Sequence, residues 1–412
     1  MTKRVFVAGL GAAVIAAAVL AGCGGGGSTS TTESSSSTAA AAGTSQGATG
    51  GTLLVGAALG LTGFLAPYDQ TALQGFRLGV DEINAAGGID GKTKIEIRVM
   101  DTRSDAAQTA VASQELLDGG IDVLVPPSDG DPSIAGGQRA QKAQVPAFSF
   151  AASQPAMTTS VGDFMFGNYT TDNGNAWALA NYAIAQGYRK AYLLGSPDQI
   201  YTETYPQFFA TTFKEKGGTI VGEGTFSSSQ QDFGAEVTKI KNTNPAPDVI
   251  MTSAFEPVFP AFIKQLRAAG VETPVVGNDA LDTPTILGLG ATVEGLVYPV
   301  PGFPEPGGAL EAFYKKITAK YGEENAVVYA AVGYDLAQVL KAAVHAAGTT
   351  DPVALRDAIA NLKDVQGVTS TITYAGAANR FPERTIYLVG VHNGQRELIQ
   401  KLVADPSQIP QP

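Results

Sequence analysis

The apolar positions change rhythm along the chain. Residues 5–20, VFVAGLGAAVIAAAVL, form an almost unbroken apolar run behind Lys3 and Arg4. Residues 24–51, GGGGSTSTTESSSSTAAAAGTSQGATGG, hold no large apolar side chain and a single charge, Glu33. From Thr52 onward, short apolar runs alternate with helix-spaced ones. Residues 53–59 read as a buried strand. Residues 71–86 follow with Leu73, Phe76, Val80 and Ile83 at helical spacing and Gly87-Gly88 as a stop. Ile95, Ile97 and Val99 alternate within TKIEIRVM, a strand. A helix over 105–118 ends at Gly119-Gly120, and IDVLV and VPAFSF (145–150) are further strands. The rhythm then repeats. AYLLGSPDQIY (191–201) is built like residues 53–68, and TPVVGNDALDTP (273–284) like VPAFSFAASQP (145–155).

Strands alternating with helices over this length predict parallel βαβ units with right-handed crossovers. The repetition predicts an α/β protein of two doubly wound parallel-sheet lobes. Ligands bind outside the C-terminal ends of such strands, so two facing lobes form one cleft lined by loops of both. The paired glycines, again at Gly217-Gly218, read as helix caps rather than phosphate loops. Length agrees: 412 residues suffice for two or three domains.

Composition removes several function classes. With 27 Lys+Arg against 38 Asp+Glu the net charge is −11, and no basic tract marks a nucleic-acid binder. One cysteine excludes an internal disulfide framework and a Cys-based zinc site. Two histidines, His345 and His392, leave little material for His-centred catalysis. No Ser-His-Asp set, metal cluster or nucleophile elbow is visible, so no enzyme and no cofactor is expected. At 16% charged residues the fold must rely on apolar burial.

Residues 1–22 have the pattern of a secretory signal, and the apolar run is short for a membrane span. Leu20-Ala21-Gly22-Cys23 resembles the bacterial lipobox, which implies acylation of Cys23 and a mature protein tethered outside the cytoplasm, lipid-anchored at the cell envelope. The other reading is a short anchor with an incidental cysteine. The residues after Cys23, up to 51, cannot offset the entropy of ordering and read as a flexible tether spanning about 30 Å.

INAAGGIDGKTKIEIRVMDTRSD (83–105), FSFAASQPAM (148–157), DQIYTETY (198–205) and VVGNDALDTP (275–284) together resemble the Leu/Ile/Val-binding family of type I periplasmic binding proteins. The resemblance runs from about Thr52 to about Gly394. It implies a monomeric receptor of an ABC importer, closing over a small solute and served by permease and ATPase subunits. It places three crossings near Asn168, Pro301 and Thr385, giving lobe 1 as 52–168 plus 301–385 and lobe 2 as 169–300 plus 386–412.

Site residues follow from the same resemblance, one at a time. Ala151, Ala152 and Ser153 match the loop that presents backbone groups and a hydroxyl to an amino acid; an ordinary turn before Pro155 is the alternative. Tyr68 falls where the family sets a ring against the ligand, and Tyr201 matches a cleft tyrosine. Asp279 matches the acid that receives an ammonium or amide N–H, unless it is a helix N-cap. Phe255 and Glu256 stand where the family has an aromatic pair, with Glu256 in the cleft or at its rim. PPSDGDPS (126–133) departs from the pattern. Gly130 and Asp131 replace the serines that grip an α-carboxylate, with Ser128, Asp129 and Ser133 nearby. If Asp131 points inward, an amide, urea or amine fits better than an α-amino acid; if it caps the next helix, the amino-acid reading stands.

The remaining features are bland. ILGLGA (286–291) lacks the preceding strand and spacing of a dinucleotide loop. Asn168-Tyr169-Thr170 matches a glycosylation sequon that a bacterial lipobox argues against. His345 reads as a solvated or packed helix residue, and Trp177 as helix core. A ligand-sensing module is the alternative function; since DPSQIPQP (405–412) carries no output segment, it would act through a partner protein.

Overall fold

The computed structural model describes residues 51–325 and 327–411. The expected leader, the expected acylation at Cys23 and the expected tether fall outside the described residues.

The first half carries five strands and four helices: β1 (Thr52–Leu59), α1 (Ala66–Ala85), β2 (Lys94–Asp101), α2 (Ala106–Asp118), β3 (Val123–Val125), α3 (Gly130–Ala143), β4 (Ala147–Phe148), α4 (Pro155–Val161) and β5 (Met165–Phe166). They form one parallel sheet in the order β2-β1-β3-β4-β5. Next come α5 (Asp172–Ala185), β6 (Lys190–Gly195), α6 (Ile200–Glu215), β7 (Thr219–Thr225), α7 (Gly234–Asn242), β8 (Val249–Thr252), α8 (Phe259–Ala268), β9 (Val275–Val276), a 3₁₀ turn (Asp279–Leu281), α9 (Pro284–Leu287) and β10 (Val297–Val300). Their parallel sheet runs β7-β6-β8-β9-β10, the same winding as the first. In each order the first strand of the unit lies between the second and third, the crevice where doubly wound sheets bind ligands.

The chain then leaves the second sheet for α10 (Ala309–Tyr321), α11 (Val328–Ala347), α12 (Pro352–Ala360) and a hairpin, β11 (Val365–Gln366) with β12 (Thr371–Ile372). It returns as β13 (Ile386–His392) and β14 (Gln395–Leu402), which extend the second sheet antiparallel beyond β10. The expected architecture of two doubly wound sheets is therefore the observed one. The antiparallel edge pair is an addition that periodicity did not suggest.

Local chemistry explains the element boundaries. β1, central in its sheet, is buried almost throughout, whereas β2 at the edge alternates. α1 starts before Thr71 because Pro67 sits in its first turn, where no amide proton is needed. α2 is capped by Asp105, whose carboxylate accepts from the Gln108 amide at 2.7 Å. β4 is shorter than the VPAFSF run because its end turns into the site loop. Ser149 Oγ accepts from the Ala152 amide (3.0 Å) and donates to the Pro127 carbonyl (2.7 Å).

α11 crosses α1 at backbone contact. A Cβ on Gly75 would stand 1.8 Å from the Ala330 oxygen, and one on Gly333 1.9 Å from the Ala72 oxygen, so only glycine fits at either position. This close crossing brings the start of α11, with Tyr329, against α1 and Tyr68.

Where the chain passes between the sheets, a buried polar knot ties the connections. Arg384 donates to Asp335 (3.3 Å), Thr369 (2.8 Å) and Asn168 (3.1 Å), and Asn168 donates to the Val332 carbonyl at 2.9 Å. Asn168 is fully buried, which leaves its sequon no room for a glycan. His345 is exposed and pairs with Asp90 at 2.8 Å, and Trp177 is buried.

Candidate functional site

Seven loops and helix starts converge on one cavity. From the first sheet come Leu65 and Tyr68 after β1, Ser128 and Asp129 after β3, and Ala151, Ser153 and Gln154 after β4. From the second come Tyr201 after β6, Phe255 after β8, and Asp279 and Ala280 after β9. Tyr329, in the first turn of α11, completes the wall. Each strand named feeds its loop from its C-terminal end, the position that parallel sheets reserve for ligands. The space left between the lining residues is small, about 30 Å³.

The two halves already touch around it. The Tyr68 hydroxyl donates to the Ala280 carbonyl (3.3 Å), and the Tyr329 hydroxyl to the Asp279 carbonyl (3.1 Å). Gln199 Nε2 donates to Asp129 at 3.1 Å. Aromatic rings frame the space. Tyr68 lies edge-on to Tyr329 at 5.0 Å, and Phe255 is 6.4 Å from Tyr68 and 5.9 Å from Tyr201.

Of the residues expected in the site, Tyr68, Ala151, Ser153, Tyr201, Phe255 and Asp279 line the cavity. Asp279 is not the N-cap of its turn. That position belongs to Asn278, and the Asp279 carboxylate instead accepts from the Tyr201 hydroxyl at 3.0 Å. Ala152 lies behind the wall, held through its amide by Ser149. Glu256 stands aside from the cavity, half-buried, where its carboxylate accepts from the Thr283 hydroxyl. Asp131 is also off the wall: it is half-buried in the first turn of α3 and takes a long contact, 3.4 Å, from the Ile200 amide. Neither reading of Asp131 describes it. The N-cap position is one turn-step earlier, at Asp129, and the acid that reaches the cavity is Asp129. The physical reason is that Gly130 starts α3, so Asp131 already points along the helix side toward α6.

Sequence reasoning missed Leu65, Gln154, Ala280 and Tyr329, and named Ser128 and Asp129 only as neighbours. It also missed Asp172, in the first turn of α5, whose amide donates to the Ser153 carbonyl at 2.9 Å. TTDN reads as an ordinary helix start, and nothing local marks its aspartate as special.

The electrostatics of these acids are unusual. Burial pushes the Asp279 carboxyl up to about 7 against the opposing hydrogen bond from Tyr201. Burial, then the Asp131 charge, pushes Asp129 up to about 7, while the amides of Gly130 and Asp131 work against the shift. Asp172 is fully buried, and burial with the Asp279 and Asp129 charges drives it well up, only the neighbouring Ser153 hydroxyl working the other way. Neither Asp172 oxygen has a hydrogen-bond partner of good geometry. Asp69, beneath the wall, is raised to about 7 by burial but accepts from the amides of Gly60 (2.7 Å) and Ser128 (2.9 Å), tying two site loops together. No Lys, Arg or His lines the cavity. Among the described residues no group of His, Cys, Asp and Glu is arranged to hold a metal ion.

Comparison with known proteins agrees with this geometry. A family model described as periplasmic binding protein matches residues 52–396. The Leu/Ile/Val-binding protein homolog 3 of Brucella melitensis is 24% identical over 330 residues, 78% of this chain and 87% of that protein. The branched-chain amino acid transporter substrate-binding protein LivJ of Streptococcus pneumoniae, solved with isoleucine, is 27% identical. It superposes with a TM-score of 0.76, covering 86% of this chain and 100% of the other. An R. palustris solute-binding protein solved with 4-hydroxybenzoate, 20% identical, shares the fold at a TM-score of 0.76 over 86% and 98% of the two chains. Two sheets of identical winding, a cavity between their strand ends and a family match along nearly the whole described chain lead to one conclusion: the chain belongs to the periplasmic binding protein family of extracytoplasmic solute receptors.

Proposed function

We propose that this protein is the solute receptor of an ABC importer, capturing a small polar solute of the amino-acid, amide or amine class by closure of two lobes. The observation that carries this reading is the cavity wall: Tyr68, Ala151 and Ser153 from one sheet face Tyr201, Phe255 and Asp279 from the other. A ligand can shift an open–closed balance only by contacts better made in the closed state, and groups from both sides supply them. Binding proteins named for leucine, isoleucine and valine among its relatives support the solute class. The lobes are 52–168 plus 301–385 and 169–300 plus 386–412, and the knot of Asn168, Asp335, Thr369 and Arg384 sits where two of the crossings meet. Acylation at Cys23 would hold the receptor at the membrane, the tether giving it reach to a permease and its ATPases. The protein acts as a monomer and catalyses nothing.

A thermal-shift screen of amino acids, amides, amines and small aromatic acids tests the reading. A ligand raises the melting temperature by mass action. With a ligand in hand, Asp279→Ala should weaken an amine-bearing solute more than tenfold in calorimetry, since it removes a charge-assisted bond. Unchanged affinity would take Asp279 out of the site.

A further inference from the structure

The receptor reading leaves open what the solute must carry, and the polar balance of the cavity bears on it. Three buried carboxyl groups, Asp129, Asp172 and Asp279, stand at or just behind one small space with no basic side chain in its wall. The Asp279 charge, after burial, helps to raise the Asp172 carboxyl.

Unpartnered acceptors stand there beside unpartnered hydroxyls, that of Ser128 in the wall and those of Tyr169 and Tyr205, which pack on the wall rings Tyr329 and Tyr201. Both Asp172 oxygens are unpartnered, as is Oε1 of Gln154, a wall residue only 2% exposed. Its Nε2 is spent on Asp129, at 3.4 Å. Of the local donors, the Tyr68 and Tyr329 hydroxyls are committed to carbonyls and the Tyr201 hydroxyl to Asp279. An α-carboxylate would enter a space walled by carboxyl groups, with no basic side chain in the wall to receive it. A group with several N–H bonds and no acceptor would meet unpartnered oxygens instead. The rings of Tyr68, Tyr201, Phe255 and Tyr329 add faces that attract a cation. Other buried acids have partners of their own: Asp69 has the amides of Gly60 and Ser128. Asp335 has Arg384, and Asp282 has Arg396 at 3.0 Å.

Resting on the receptor reading above, we infer that the solute is a compact, donor-rich organic cation without a carboxylate, an amine or guanidine. Asp129 and Asp172 then join Asp279 as the residues that determine specificity. Asp279 and Asp172 form one anionic end and Asp129, held by Gln154 and Gln199, another.

Calorimetry on the folded chain at about 0.15 M salt, where long-range attraction to its net negative charge is screened, decides the matter. The probes are methylguanidine and 1,4-diaminobutane against L-leucine and L-isoleucine. The expected result is binding of at least one cation tenfold or more tighter than either zwitterion. Asp129→Asn and Asp172→Asn should each weaken the cation at least tenfold, with unfolding curves showing that both variants remain folded. Leucine or isoleucine bound as well as the cations, or cation affinity untouched in both variants, overturns the inference while the receptor reading stands. Failure of every solute class in the wider thermal-shift screen overturns both.

Discussion

The molecule buries aspartates in two very different ways. At the crossings, Asp335 is fully buried but faces the Arg384 guanidinium, with the Thr369 hydroxyl and the Val368 and Thr369 amides as further donors. Burial raises its carboxyl, and the arginine and these donors pull it back. At the cavity, Asp129 and Asp279 in the wall and Asp172 behind it are buried with no basic side chain in that wall. The first arrangement carries its own counter-charge and serves to hold segments distant in sequence together. The second is incomplete, and a structure tolerates that only where something from outside supplies the missing charge or protons do. The comparison separates a structural ion pair from the candidate binding site without reference to any relative.

The contrast makes graded predictions. The largest effect belongs to the crossings. Arg384→Met strands Asp335 in a dry site and should lower folding stability by about 3–5 kcal/mol in denaturant unfolding. A loss no larger than that of an ordinary surface substitution, about 0.5 kcal/mol, would mean that the pair does not hold the crossings.

The next is a pH effect. A carboxyl raised from 3.8 to about 7 on folding binds more protons in the folded than in the unfolded state across that interval. Its contribution is greatest below about pH 4 and is lost as pH rises toward about 7. Ligand-free wild-type chain should therefore lose stability relative to Asp129→Asn over this window, by up to about 1.4 kcal/mol per pH unit. Parallel stability curves for the two proteins would show Asp129 to be solvated.

Smaller, and opposite in sign to the crossings, is the effect of neutralising a cavity acid. Asp172→Asn should leave ligand-free stability unchanged or raise it by about 1 kcal/mol, because it removes a buried carboxyl whose oxygens have no hydrogen-bond partner. A clear loss would reveal an internal partner. The smallest effect is expected on the surface. Lys316 and Glu82 pair at 2.9 Å but are both well exposed, and Lys316→Ala should shift stability by no more than about 0.5 kcal/mol.

The same contrast explains what could be read from the chain before folding. The alternation of strand and helix from Thr52, its repeat after Lys190 and the helix-capping glycines follow from local spacing, and they appear in the structure nearly where expected. Tyr68, Ser153, Tyr201 and Asp279 were legible through the family resemblance, and each lies in a loop or first helical turn after a strand, which parallel sheets send to one edge. The choice between Asp129 and Asp131 turned on where α3 begins, a matter of one or two residues that sequence patterns resolve poorly.

Spacing along the chain therefore dictated the two windings and which edge of each would face a solute, because hydrophobic period and glycine stops act within a few residues. Only the tertiary structure decided what charge that edge carries. Tyr329 reaches the cavity because Gly75 and Gly333 let two helices touch far from one another in sequence. Asp172 feels the Asp279 charge because the chain crosses between sheets just before it. Desolvation is a property of everything packed around a group, so an aspartate's neighbours in the chain cannot state whether it will be paired, protonated or waiting for a cation.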